Sequence, residues 1–426
     1  MKSKKVAKFV SLTAMLFTLV GCNKTVDSAS QSAEPSGSAE ELLIGAPTAQ
    51  QTWVKTQVEK YLADNNLSSK YTVKMYVLEE GDTGNVADWT TAPDLYAYAS
   101  DQTLTLVGKG ALAQVPSTYA TAMKTAMGDE AMAAANVGTK TYGYPYAGDN
   151  GYFLYYNKTT FKDQEAKLAT WDGVIEVAKA KTLKVSYPLA NTFYSTGLMF
   201  SFGARYNVTL NSTSTAIASV DADFDGEKGI KAIKVMKNIL SESIVEVTND
   251  AQKAPTTANG LAATVDGSWN ATKYKEAMGD DYGCIKLPTV TLGEETVNIH
   301  AFLGYKLYGV NPSRTGTSTA RQTVLHQISN YLVSKDVQDK RFDDLTIAPT
   351  NKKVKALEKV VNTPHVKALA DQAAYAVAQT IVPGNVWTDS TAPYTALKAK
   401  ADLSKVTDEE IATIAAAYNT AIKTIK

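Results

Sequence analysis

The alternation of short apolar strands with an amphipathic helix near the start of the chain restricts its fold most strongly. Segment 41–46, ELLIGA, is a short apolar run, and segment 71–78, YTVKMYVL, alternates as a strand does. Between them, apolar residues recur at three- and four-residue spacing and form one face of a helix: Val54, Val58, Tyr61 and Leu62. Strand, helix and strand at this spacing predict a βαβ unit, the α/β class and a mostly parallel sheet.

The rest of the chain continues this alternation. Further strands are predicted at 93–100, 282–290 and 301–310, an amphipathic helix at 228–240, and a long helix at 319–342. With 426 residues the chain is long enough for two or three domains with cores of their own.

The N-terminal segment is expected to lie outside the fold. Lysines precede a short apolar run, 9–20, whose length suits a signal peptide and falls short of a membrane span. LVGC, 19–22, resembles a bacterial lipobox, in which the cysteine becomes the first mature residue and carries the lipid. We therefore predict a signal peptide at 1–21, a lipidated Cys22 and a flexible tether over 22–40. The alternative is an ordinary secretory signal with an incidental cysteine.

Charge and cysteine content exclude some functions. The chain has 43 basic and 43 acidic residues and no long basic run, which argues against nucleic acid as a partner. If Cys22 carries lipid, Cys284 is the only other cysteine, and no internal disulfide forms. The fold must then depend on its hydrophobic core, with Cys284 as a small buried side chain.

Motifs for catalysis and metal binding are scarce. The chain has no G-x-S-x-G, Walker A, H-E-x-x-H or C-x-x-C pattern, and its three histidines lie far apart. DADFDG, 221–226, begins as a calcium-binding loop does, but its twelfth position is Ala232 instead of Glu. An Asp that caps the following helix is the better interpretation. We expect no metal and no cofactor.

Aromatic residues beside acids and small residues give a stronger signal. The chain has 23 tyrosines, and segments such as 93–101, PDLYAYASD, and 144–152, YPYAGDNGY, combine rings with an acid. An aromatic face fits the C–H face of a pyranose, and a carboxylate accepts hydrogen bonds from neighbouring hydroxyls. Several such clusters end predicted strands, where open α/β sheets bind ligands. The pattern favours sugar binding, although most of the aromatic residues must belong to the core.

Four segments, taken together, resemble the maltose- and maltodextrin-binding family among the extracellular solute-binding lipoproteins of ABC transporters. They are YGYPYAGDNGYFLYYNKTTF (142–161), LAATVDGSWNATKY (261–274), YGCIKLPTV (282–290) and QTIVPGNVW (379–387). Each motif alone is weak, but they follow the family's order and spacing over nearly all of the mature chain.

The resemblance implies a two-lobe periplasmic-binding-protein fold that closes by a hinge around a ligand cleft. The ligand would be an oligosaccharide of the maltose or malto-oligosaccharide class, and an ABC permease would recognise the closed form. It also implies a monomer that is not an enzyme, lipid-anchored to the outer face of the cell membrane. The expected bounds are 41–147 and 303–348 for lobe 1, 149–300 and 351–426 for lobe 2, and crossings near 147–151, 300–302 and 347–350.

Six residues at the family's motif positions are implied as ligand contacts: Tyr98, Asp101, Asp149, Tyr194, Trp269 and Trp387. The rings would stack on sugars, and the acids would accept hydrogen bonds from hydroxyls. Tyr194 is preferred to Phe193 for its hydroxyl, and Tyr394 competes with Trp387.

Segment 142–161 is interpreted as a hinge crossing. Gly148 and Gly151 would let its backbone bend, and Asp149 would lie between them and face the cleft.

The chain departs from the family pattern at three places. Gln102 stands where the family often has Arg, and Ser268 replaces the proline before the tryptophan. The early loop 46–53 lacks the family's acid and lysine. Other side chains of that loop would contact ligand instead: Gln50, Gln51 or Trp53. The binding-protein interpretation stays intact, and the sugar stays open.

Three alternatives remain. A surface glycoside hydrolase would use two of Asp101, Asp149 and Asp389 about one bond, although nothing in the sequence pairs them. An adhesion or scaffolding lipoprotein would use the aromatic residues only as core. A binding protein for another solute, such as a peptide or a metal complex, would share the fold.

Overall fold

The computed structural model describes residues 39–248, 251–388, 390 and 392–425. The expected signal peptide, Cys22 and nearly all of the tether lie outside these residues, as does Asp389. In the described part of the chain, no helix combines the length and the apolar character that a membrane span requires.

The strands of the described residues, in chain order, are β1 (Glu40–Ala46), β2 (Tyr71–Val77), β3 (Leu95–Ala99), β4 (Asn136–Val137), β5 (Lys140–Thr141), β6 (Tyr144–Asn157), β7 (Lys184–Ser186), β8 (Tyr206–Leu210), β9 (Ile217–Ala222), β10 (Val245–Glu246), β11 (Leu261–Gly267), β12 (Tyr282–Ile285), β13 (Thr289–Leu292), β14 (Glu295–Asn298), β15 (Ala301–Val310) and β16 (Ala376–Ala378).

The helices are α1 (Gln51–Asp64), α2 (Thr103–Gly108), α3 (Ser117–Met127), α4 (Asp129–Ala135), α5 (Lys158–Phe161), α6 (Trp171–Ala180), α7 (Thr192–Met199), α8 (Glu227–Ser241), α9 (Ala271–Met278), α10 (Thr319–Leu332), α11 (Lys335–Leu345), α12 (Lys352–Lys355), α13 (Glu358–Val361), α14 (Pro364–Ala373), α15 (Pro393–Lys398) and α16 (Asp408–Lys423).

The predicted βαβ unit is confirmed. β1 and β2 pair in parallel, with Leu42 opposite Val73, and α1 connects them. α1 buries Val54, Val58 and Leu62 of the predicted apolar face, while Tyr61 is half-buried. β3 pairs in parallel with the other edge of β1. The α/β class therefore follows from local patterns in the first 60 residues of the fold.

The main sheet has ten strands, in the order β10-β7-β11-β6-β15-β3-β1-β2, with β12 also paired to β6 and β16 to β15. Its outer strands pair in parallel, as predicted. Its centre does not, because the two longest strands, β6 and β15, run antiparallel to each other, and β6 also runs antiparallel to β11.

The pairing of β6 with β15 contains a bulge. Gly304 lies opposite Asn150 and Lys306 opposite Ala147, so Gly148 and Asp149 have no direct partner. Neither Gly148 nor Gly151 has a positive φ. In this conformation both glycines have backbone angles that other residues also adopt, so their role in bending stays a prediction.

Gly151 is needed for close packing. A Cβ atom there would lie 2.8 Å from Cδ1 of Leu369 and 2.9 Å from Cδ1 of Leu303. Since real Cβ contacts are longer, a larger residue would force the ends of these two leucine side chains to move.

Two large hydrophobic cores divide the described chain. One is built from residues between 42 and 147 together with residues between 308 and 337. The other is built from residues between 152 and 302 together with residues between 386 and 422. β6 and β15 contribute to both, which agrees with a two-lobe α/β architecture; the bounds of the lobes remain a proposal.

Two local predictions are wrong. The long helix expected at 319–342 is interrupted, because α10 ends at Leu332 and α11 begins at Lys335 after an extended Ser334. α8 begins after Gly226, with no side-chain cap. The Asp223 carboxylate instead accepts a hydrogen bond from the backbone N–H of Arg205.

Candidate functional site

A cavity of about 360 Å³ lies beside the bulge in β6 and is lined from both halves of the chain. The ends of β1 and β2 contribute one wall, the turn after β11 another, and β6 and β15 the floor. The side chains that determine its chemistry are Gln50, Glu80, Asp149, Trp269, Lys306 and Asp344. We call this space the central cavity.

Asp149 lies in the bulge and lines the central cavity. It is 5% exposed, and its Oδ1 atom accepts no hydrogen bond from the described residues. The hydroxyl of Ser268 donates to the Asp149 backbone carbonyl and so ties the turn after β11 to β6. A buried carboxylate oxygen with free lone pairs is an acceptor for a ligand hydroxyl.

Lys306 is the cation of the central cavity. Its Nζ atom lies 3.5 Å from Oδ1 of Asp149 and 4.0 Å from Oε1 of Glu80. Burial lowers the pKa of Lys306, but the carboxylates of Asp149 and Glu80 outweigh it, so that the net effect is a raised pKa. Lys306 is therefore charged throughout the physiological pH range.

Glu80 is held in place by two donors. The hydroxyl of Tyr146 donates to Oε1 of Glu80 at 2.5 Å, and Nε2 of Gln50 donates to the same atom at 3.3 Å. Oε1 of Gln50 is buried and accepts no hydrogen bond from the described residues. The central cavity thus presents two unsatisfied acceptors, on Asp149 and Gln50, to a ligand rich in hydroxyl donors.

Arg341 supports this wall from behind. Its guanidinium group lies 4.6 Å from the ring centroids of both Trp53 and Tyr146, and its side chain is fully buried. Trp53 also donates to Asp344 at 2.7 Å. These contacts fix the Tyr146 ring, and with it the hydroxyl that holds Glu80.

Trp269 offers the exposed aromatic face of the site. It lies in the turn Ser268–Asn270 after β11 and is 43% exposed. Its ring folds over Gly267, where a Cβ atom would lie 2.2 Å from the indole, so only glycine fits there. Trp269 lines both the central cavity and a second cavity of about 530 Å³.

The second cavity contains Tyr194, whose hydroxyl is used within the protein. It donates to Oδ1 of Asp266 at 3.0 Å. Asp266 also accepts from Asn270 at 3.1 Å and from the hydroxyl of Tyr274. Burial raises the pKa of Asp266, and these hydrogen bonds oppose the rise.

Phe193, not Tyr194, joins the other predicted rings. The Phe193 ring centroid lies 6.1 Å from that of Trp269 and 6.4 Å from that of Trp387. Phe193 is half-buried and Tyr194 is 6% exposed, but Tyr194 lines the second cavity, so the choice of Tyr194 over Phe193 stays a prediction. We call Trp269, Phe193 and Trp387 the aromatic row.

Asp101 and Trp387 line a third cavity, of about 400 Å³. Burial raises the pKa of Asp101 to about 6, although Gln102 donates to its Oδ2 atom at 2.9 Å. Asp101 and Asp149 line different cavities. A glycoside hydrolase instead places its two carboxylates on either side of one glycosidic bond.

Tyr98 is not brought to any of these cavities. Its side chain has no exposed surface and packs in a small core with Tyr96, Leu106 and Leu307. In this structure it contacts no ligand space, because β3 is buried on both of its faces.

Lys306 and Glu80 were missed from the sequence. Lys306 is the single charged residue in the apolar strand AFLGYKLYGV, and a lone charge in a buried strand is a signal that could have found it. Glu80 lies three residues after the end of β2, at the edge where strands of an α/β sheet end in a binding site.

Among the described residues, neither a group of metal ligands nor a free thiol lines the central cavity. In the described ranges no group of three or more His, Cys, Asp or Glu side chains is arranged to hold a metal ion. Cys284 is a half-buried free thiol, and burial raises its pKa to about 12.

Comparisons with known proteins point to one family. The family model described as bacterial extracellular solute-binding protein matches residues 49–368. No curated protein matches the chain by sequence.

Solved structures share the fold. One, solved with acarbose, is 25% identical, with a TM-score of 0.76 over 90% of this chain and 99% of its own. The maltodextrin-binding protein MalE1 from L. casei, without ligand, is 19% identical, with a TM-score of 0.74 over 91% of this chain and 99% of its own. The maltose-binding periplasmic protein MalE from Listeria monocytogenes, in complex with maltose, is 19% identical, with a TM-score of 0.67 over 92% of this chain and all of its own.

Proposed function

The chain belongs to the family of bacterial extracellular solute-binding proteins, and from that premise we propose that it is the substrate-binding component of a carbohydrate ABC importer. It captures maltose or malto-oligosaccharides in the central cavity and delivers them to a membrane permease. The family is extracellular, so the protein acts outside the cytoplasm.

One observation carries the sugar assignment. Asp149, whose buried Oδ1 atom is ion-paired with Lys306 but accepts no hydrogen bond from the described residues, lines the same cavity as the exposed indole of Trp269. A pyranose needs both an apolar face for its C–H groups and acceptors for its hydroxyls. Trp269, Phe193 and Trp387 extend the apolar part beyond one sugar ring. Solved proteins of this fold that bind maltose or acarbose support the same ligand class.

In this proposal the lobes are 41–147 with 303–348 and 149–300 with 351–426, and they close around the ligand by bending at the bulge in β6. Cys22 carries a lipid that anchors the monomer to the outer face of the cell membrane, and residues 22–40 are the tether.

Calorimetric titration of the purified protein with maltotriose tests the proposal, with analysis of the sugar afterwards. We expect saturable binding and unchanged maltotriose. Released glucose would establish a glycoside hydrolase instead. A heat signal from a peptide or metal complex, with none from a panel of glycans, would establish a binding protein for another solute.

A further inference from the structure

Two buried acids of the central cavity, Asp149 and Glu80, share one cation, Lys306. The side chains of Asp149 and Glu80 are 7% and 12% exposed, and that of Lys306, which lies between them, is 10% exposed. Its distances to the two carboxylates are 3.5 Å and 4.0 Å. In such a water-poor space, each of these charges acts on its neighbours far more strongly than it would at the surface.

The other acids near the central cavity are partly exposed to solvent and already accept hydrogen bonds from protein donors. Glu79 is exposed and accepts hydrogen bonds from the backbone N–H and the hydroxyl of Thr48. Asp344 is 34% exposed and accepts from Trp53. Solvent weakens their field. Arg341 adds a positive charge, but behind the Tyr146 ring and out of the cavity lining.

Lys306 occupies the place that a ligand cation would take. An ammonium group on a sugar would have to approach the same two acids and would meet the like charge of Lys306 at short range. Neutral hydroxyls face no such conflict. The buried oxygens of Asp149 and Gln50 can accept hydrogen bonds from them while Lys306 stays in place. Discrimination of this kind rests on a repulsive element as much as on an attractive one.

We propose that Lys306 is the residue that makes the cleft prefer neutral glycans to glycans that carry an amine. The inference rests on the glycan-binding function proposed above. It assigns Lys306 a role in specificity that neither the sequence motifs nor the family match provides.

The experiment compares wild type with Lys306→Met, which keeps the length and apolar stem of the side chain while removing its charge. Each protein is titrated calorimetrically with maltotriose and with maltotrioses that carry one primary amine at different carbons. Wild type is expected to favour the neutral sugar by about tenfold or more at neutral pH and low ionic strength. In Lys306→Met the ratio of affinities shifts toward at least one amine by about tenfold or more, because two buried acids have lost their cation.

Two further variants keep the test decisive. Lys355→Met removes an exposed lysine that lines a different cavity, and it should keep the wild-type ratio. Glu80→Gln removes the charge of one acid while keeping its shape. The ratio of affinities should then shift further toward the neutral sugar. This variant tests the balance of charge in the cavity if Lys306→Met does not fold.

The outcomes separate the two proposals. If wild type binds no glycan, the proposed function fails, and this inference fails with it. If wild type binds glycans but Lys306→Met and Glu80→Gln keep the wild-type ratio, only this inference fails. An equal loss of both ligands in Lys306→Met would mean that Lys306 is merely structural, and it would also overturn the inference.

Discussion

The hydroxyl of Tyr144 lies 2.8 Å from Nδ1 of His326, a buried bond that joins β6 to α10. Burial lowers the pKa of His326 to about 4, whereas an unfolded histidine titrates near pH 6.5. The unfolded chain therefore binds more protons between these values, and stability falls as the pH falls through that window. His326 alone accounts for a loss of about 3 kcal/mol.

His326→Asn tests this linkage, since Asn keeps a polar partner for Tyr144 and does not titrate. We expect the variant to be less stable than wild type near neutral pH and to lose less stability on acidification to about pH 4.5. Urea unfolding followed by circular dichroism at several pH values measures the difference. Stability curves that stay parallel at all pH values would contradict the assignment.

Trp269→Ala should weaken glycan binding by about 1.5–3 kcal/mol, because it removes the exposed aromatic face of the central cavity. Calorimetry is the suitable measurement, since the variant lacks the fluorophore at the site. Trp269→Phe should recover part of the loss. Tyr76→Ala, which removes a 47% exposed ring from the edge strand β2, serves as control. Wild-type affinity in Trp269→Ala would refute the site.

Gly151→Ala should destabilise the protein by about 1–3 kcal/mol, because its Cβ atom would collide with Leu369 and Leu303. The colliding atoms are the ends of flexible side chains, so the fold should survive. Gly81→Ala is the matched control, since a Cβ atom at Gly81 meets nothing within 4 Å. Equal melting temperatures for the two variants would show that β6 tolerates a side chain at the crossing.

Cys22→Ser should release the protein from the membrane fraction of the producing bacterium, because serine cannot accept the lipid. Mass spectrometry of the mature wild-type N-terminus should show an acylated Cys22 as the first residue. Identical N-termini without acyl chains in both proteins would favour the ordinary secretory signal.

The parts of the fold that could be predicted are those encoded by local patterns. The β1–α1–β2 unit was predictable because the burial of α1 repeats every four residues and β2 lies parallel to β1 across a short crossover. The antiparallel pairing of β6 with β15 was not predictable, since it joins segments about 150 residues apart, and nothing in either segment determines which strand it meets.

The same limit applies to the candidate site. Asp149 and Trp269 could be proposed as ligand contacts because each belongs to a motif around a turn, where the neighbouring residues identify the position; both line the central cavity. Tyr98 is fully buried in the structure because both faces of β3 are covered, and the sequence of one strand does not show how many of its faces are covered. Lys306 reaches the central cavity only through a bulge in the β6–β15 ladder, which depends on tertiary pairing.

Asp101→Asn should have opposite effects on stability and on binding. Burial raises the pKa of Asp101 to about 6, so the folded chain binds more protons than the unfolded chain between about pH 4 and that value, and stability falls as the pH rises through this window. Relative to wild type, the melting temperature of Asp101→Asn should therefore improve from about pH 4 to about pH 7.5.

Glycan affinity at neutral pH should instead fall in Asp101→Asn if long malto-oligosaccharides extend along the aromatic row to Trp387, because the charged acceptor beside that ring is lost. Calorimetry with maltotriose and a longer malto-oligosaccharide measures this, and the longer sugar should lose more. A stability difference that does not change with pH would contradict the raised pKa, while equal losses for both sugars would remove Asp101 from the binding site.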